Sequence, residues 1–99
     1  MNKYKLEYVY MPNGDINRMK TAKKVVVEYL GDLGRGGALV QPEDVYIVWF
    51  CKTLQNWKVL ISTDVIDNTY FEVTFNGTQN ELYLDEYRKV FNGVYSNVV

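Results

Sequence analysis

The chain contains no histidine, one cysteine, two prolines and no marked excess of either charge, with eleven Lys/Arg set against twelve Asp/Glu. The missing histidine removes the commonest general base at neutral pH and every His-dependent nucleophilic triad. With one cysteine as well, no four-ligand nitrogen–sulfur zinc shell can be assembled. No intrachain disulfide can form either, which fits a reducing compartment. A formal net charge of -1 does not suit a general polyanion binder, a class that is usually basic. Long apolar runs are missing too. The longest, Val45-Tyr46-Ile47-Val48-Trp49-Phe50-Cys51, has the length of a buried strand and falls well short of the roughly 20 residues that span a bilayer. Met1 to Glu7 has no apolar core of the signal-peptide kind. The expectation is a cytoplasmic protein without metal, cofactor or enzymatic activity. Acid–base chemistry would have to come from carboxylates, Lys or Tyr, and no paired arrangement of these stands out.

What is present suits one small folded domain over residues 1–99. Apolar residues make up 47% and charged residues 23%, enough apolar surface to offset the ordering entropy of folding. Residues 3–10 alternate strictly, with Tyr4, Leu6, Tyr8 and Tyr10 on one face, and predict a half-buried strand. Residues 1–12 are therefore an N-terminal extension or an edge strand. Pro12-Asn13-Gly14-Asp15 is a turn, and Asp15 is placed to cap a helix. Ile16, Met19, Ala22, Val26, Tyr29, Leu30 and Leu33 form its apolar stripe, and glycines from Gly31 to Gly37 end it.

Strands are predicted at 45–53, 57–63, 70–75 and 81–84, with Asn76-Gly77 as a hairpin signal. Leu84, Tyr87 and Phe91 share a helical face, with Asp85 and Glu86 in a first turn and Arg88 and Lys89 in a last one. This spacing predicts a short C-terminal helix over 85–92, closed by Gly93. The expected fold is α+β: an antiparallel meander of about four to five strands, packed with one longer N-terminal helix and a short C-terminal helix. Cys51 lies in the most apolar strand, where burial is expected to keep its thiol inert.

The strings Asp44-Val45-Tyr46-Ile47-Val48-Trp49-Phe50-Cys51-Lys52-Thr53-Leu54-Gln55-Asn56-Trp57-Lys58, Tyr70-Phe71-Glu72-Val73-Thr74-Phe75-Asn76-Gly77 and Glu81-Leu82-Tyr83-Leu84-Asp85-Glu86-Tyr87 are distinctive. Together they resemble a family of small phage and prophage proteins from Gram-positive bacteria with no assigned function. The likeness runs from about Ala22 to Phe91, so the first twenty or so residues extend beyond it. The resemblance implies phage origin and residence in the cytoplasm of an infected host, and it supplies no catalytic residue.

Candidate sites are weighed against plainer roles. The glycine loop lacks the Gly-Lys-Ser/Thr ending of a phosphate loop and reads as a helix exit, with Arg35 inside it. Arg18, Lys20, Lys23 and Lys24 cluster in the first half of the helix, against its dipole, which marks either a solvated face or a binding surface. Lys52 and Lys58 bracket the Leu54-Gln55-Asn56 turn and, beside an exposed aromatic, would suit single-stranded nucleic acid. Glu81, Asp85 and Glu86 are helix N-terminal acids before they are a cation site.

Nine Tyr, two Trp and four Phe bring the aromatic content to 15%. Trp49 and Trp57 flank a tight turn and read first as core residues that adjacent strands bring near each other. Tyr4, Tyr8 and Tyr10 on a terminal strand are stronger interface candidates. The leading expectation is a non-catalytic, phage-encoded inhibitor of a host or defence protein, of the anti-CRISPR kind. The alternative is a nucleic-acid-binding accessory of phage replication or transcription. A homodimer paired through the edge strand at residues 3–10 is a third arrangement.

Overall fold

A computed structural model describes residues 14–32 and 40–98. The expected strand at residues 3–10, with Tyr4, Tyr8 and Tyr10, lies outside these residues, as does Arg35.

Helix α1 spans Asp15–Asp32. Gly14 precedes it with a φ of 63°, a left-handed conformation that glycine adopts without a Cβ penalty. The Arg18 N–H donates to the Gly14 carbonyl at 3.2 Å, and the Arg18 guanidinium pairs with Asp15 at 3.1 Å. The buried stripe is Ala22, Val25, Val26 and Leu30, at the spacing of one helical face. Ile16, expected in the stripe, is 60% exposed.

A short 3₁₀ turn, Pro42–Asp44, leads into the sheet. Gln41 donates its N–H to the Asp44 carboxylate at 2.9 Å, and Asp44 returns its N–H to the Gln41 carbonyl at 2.9 Å. The buried Thr63 hydroxyl donates to the Asp44 carbonyl at 2.6 Å and accepts the Val65 N–H at 3.0 Å. This threonine is therefore satisfied on both counts, as a buried hydroxyl must be.

Four strands follow: β1 (Val45–Thr53), β2 (Asn56–Thr63), β3 (Thr69–Asn76) and β4 (Glu81–Arg88). They pair antiparallel in the order β1-β2-β3-β4, the expected meander. The inner face carries Val45, Trp57, Val59, Ile61, Phe71, Val73, Phe75 and Leu82, all buried together with the α1 stripe. Tyr29 packs edge-on to Phe71 with ring centroids 6.0 Å apart, and Trp57 stacks on Phe75 at 5.5 Å. Burying side chains of this size contributes roughly 1.5–3 kcal/mol each.

The C-terminal helix is not formed. Residues 81–88 are strand, and 89–98 continue without regular structure. The strand reading wins because Leu82 and Leu84 alternate onto the core, whereas a helix over 85–92 would have had no second layer to cover its apolar face. Glu86 also faces inward, opposite Phe71, and is tolerated there because the Tyr29 hydroxyl donates to its carboxylate at 2.6 Å.

A bulge decides the facing of β1. Its register with β2 slips between Ile47 and Trp49, leaving Val48 unpaired. A one-residue slip moves every later side chain to the other face. Phe50 therefore joins the inner face beside Trp57, with ring centroids 6.4 Å apart, while Trp49 and Cys51 turn outward. This corrects two expectations: Cys51 is exposed, and of the two tryptophans Trp57 alone is in the core.

The two hairpin turns meet at one end of the sheet. Leu54 takes a φ of 55° in the β1–β2 turn. The Gly77 N–H donates to the Asn56 side chain at 2.8 Å, and Gln55 donates to the Thr78 hydroxyl at 2.9 Å. A Cβ at position 77 would collide with the Gln55 carbonyl oxygen, so only glycine permits this approach.

Candidate interaction surface

With α1 on one side, the opposite face of the sheet has no covering element among the described residues. The strand registers arrange its side chains in three rows. Tyr46, Ser62, Tyr70 and Tyr87 make the first; Trp49, Leu60, Glu72 and Asp85 the second; Cys51, Lys58, Thr74 and Tyr83 the third. Five of these twelve positions are aromatic, and all five are exposed: Tyr46, Trp49, Tyr70, Tyr83 and Tyr87. Exposed apolar residues gathered on one face mark candidate interaction sites.

Three of the rings are held in place by their neighbours. Tyr70 and Tyr87 stack with centroids 5.2 Å apart and planes 15° from parallel. The Tyr87 hydroxyl donates to Glu72 at 3.3 Å, and Glu72 also accepts the Lys58 ammonium at 3.4 Å. The Tyr83 hydroxyl donates to Glu81. Both phenols are pushed above the ordinary tyrosine value: Tyr83 chiefly by its hydrogen bond to Glu81, Tyr87 chiefly by the charge of Glu72. A neutral hydroxyl aimed at a carboxylate orients each ring without adding charge.

Lys58 is the one cation in the three rows, and it faces Glu72, Asp85 and, at the end of β4, Glu81. The aromatic face is thus net acidic. The expected cations lie elsewhere. Lys20 and Lys24 are exposed on the solvent side of α1, Lys23 is half-buried beside them, and Arg18 is paired with Asp15. Since α1 covers the inner face, the sheet stands between these residues and the aromatic rows. Lys52 donates to the Leu54 carbonyl at the turn end of the sheet, and only Lys58 joins the face.

The acids Glu81, Asp85 and Glu86 do not converge. On a strand the first two face outward and Glu86 inward, and no group of three or more metal-ligating side chains occurs among the described residues. No helix among them is long and apolar enough to cross a membrane.

Strict alternation in the sequence draws attention to the tyrosines at 3–10, which lie outside the described residues, and not to Tyr46, Tyr70, Tyr83 and Tyr87. The available signal was the alternation in Tyr70-Phe71-Glu72-Val73 and in Leu82-Tyr83-Leu84, which places each tyrosine on the face opposite a buried residue.

Beyond the first row the face ends in an open groove of about 530 Å³, bounded by Tyr46, Ser62, Tyr70, Arg88, Val90 and Phe91. No curated protein and no solved structure matches the chain. A family model does match, over residues 19–97, a span that takes in most of α1, the whole sheet and nearly all of the segment after it. The chain belongs to that family, described as a family of unknown function (DUF6275).

Proposed function

We propose that this chain is a small, non-catalytic, phage-encoded binding domain that docks the outer face of its sheet onto a host or defence protein and inhibits it by occlusion. The observation that carries this reading is the set of five exposed aromatics on the uncovered sheet face. Tyr and Trp supply large contact area at small entropic cost and dominate the energetics of protein interfaces. Rings already fixed by Glu72, Glu81 and a stacked neighbour have little freedom left to lose on docking. Phage origin rests on the resemblance of residues 44–58 and 70–87. The acidity of the face favours a partner with a basic patch, whose arginines would stack on the rings and pair with Glu81 and Asp85.

The same acidity weighs against nucleic acid, because stacking platforms for single strands combine aromatics with cations on one surface. Here the helix lysines and the aromatic rows occupy opposite sides of the sheet.

The test is affinity capture from host lysate, with nuclease treatment, comparing the full chain with a Trp49→Ala/Tyr83→Ala variant. A protein that survives nuclease, is lost with the variant, and loses its own activity when the wild-type chain is added supports the proposal. Recovery of nucleic acid, abolished by neutralising Lys20, Lys23 and Lys24 together, rejects it in favour of a nucleic-acid-binding accessory.

A further inference from the structure

Residues 90–98 pose a separate problem. The segment carries no charged side chain, and Val90, Phe91, Val94, Tyr95 and Val98 are between 71% and 94% exposed. Its aromatics are gathered: a Cβ at Gly93 would lie 2.8 Å from the Phe91 ring and 3.2 Å from the Tyr95 ring, so both rings flank the glycine. An uncharged run of β-branched and aromatic residues left in water is an association hazard unless something covers it.

We infer that the cover is a second copy of this chain: residues 90–98 of each protomer dock in the groove at the Tyr46–Tyr70 end of the other's sheet, giving a two-fold, segment-exchanged dimer. The groove is bounded by Tyr46 and Tyr70 and also by Val90 and Phe91, the root of the segment, with Asp64, Asp67, Arg88 and Lys89 in the same lining. A second segment entering it therefore meets sheet and first segment together. That arrangement is self-complementary, as a two-fold interface requires. The exposed apolar area of the segment and of the neighbouring rings is on the order of 1,000 Å² per chain, against the roughly 800 Å² per partner of a stable interface. The dimer takes up the Tyr46–Tyr70 end of the outer face and leaves Trp49, Lys58 and Tyr83, in the other two rows, to the proposed inhibitory contact, so chain mass and partner capture test the two separately.

The experiment is sedimentation equilibrium of the full chain over a wide concentration range, beside a Phe91→Ser/Tyr95→Ser variant. The wild type is expected at twice the monomer mass of 11.6 kDa. The variant, which alters only exposed residues, is expected to raise the dimer dissociation constant roughly a hundred-fold, with an unchanged thermal melt. In a mixture of labelled and unlabelled wild-type chains, isotope-filtered contacts between the Tyr95 and Tyr46 rings should appear. A wild type that stays at 11.6 kDa throughout overturns the inference, and so does a dimer that survives the variant or lacks the inter-chain contact.

Discussion

The two faces of this sheet are built from the same strands and both carry large aromatic side chains, yet they treat them differently. The inner face is closed. Phe71, Val59, Ile61 and Val73 have no accessible surface and lock against Val26 and Leu30 of α1. The outer face offers equally large side chains in matching rows, but Tyr46, Trp49, Tyr70, Tyr83 and Tyr87 remain exposed. Inside, Trp57, Phe71 and Phe75 are packed by other apolar groups; outside, the Tyr83 and Tyr87 hydroxyls rest on carboxylates and Tyr70 stacks on Tyr87. Hydrophobic content alone therefore does not say which face is scaffold and which is surface. The partners of each ring do.

Substitutions that fall on one face or the other test this division. Phe71→Ala, which empties the centre of the inner face, is expected to cost about 3–5 kcal/mol in denaturant unfolding, as buried Phe truncations do. A smaller effect should come from Tyr29→Phe, which removes the hydroxyl bound to Glu86 and leaves an inward-facing carboxylate short of one donor. About 1–3 kcal/mol is expected in the same unfolding assay. Trp49→Ala, on the outer face, is expected to cost about 1 kcal/mol or less, because the ring is 43% exposed and plugs no cavity. A loss as large as that of Phe71→Ala would mean that the two faces are not divided as described.

The smallest expected effect is electrostatic. The raised Tyr83 phenol keeps its proton above the pH at which an unfolded tyrosine, near 10.0, gives it up. The stabilisation from this shift is fully present below that pH and is lost as pH rises through the folded value. Glu81→Gln should move the Tyr83 ionisation back down, read by phenolate absorbance in an alkaline titration, and should leave Tyr87 in place.

Much of the fold was legible in the sequence because it is local. The α1 stripe and the alternation of 57–63 and 70–75 each declare a period, and Asn76-Gly77 declares its turn. What stayed hidden depends on distant groups. In 45–51 every residue is apolar, so no alternation reveals a face, and a bulge at Val48 then inverts the remainder. In 81–88 the inward Glu86 breaks the apolar alternation, and its partner Tyr29 is fifty-seven residues away, so charge and spacing mimic a helix start. The aromatic face was hidden for the same reason. Its rows come from register between strands, which no single stretch of sequence displays.

The most direct test of the outer face as the working surface is capture of a protein partner by the triple variant Trp49→Ala/Tyr83→Ala/Tyr87→Ala, with unfolding followed on the same preparation. The account predicts a cooperative unfolding transition close to that of the wild type and no retained partner. A variant that unfolds normally and still captures the same protein would contradict it.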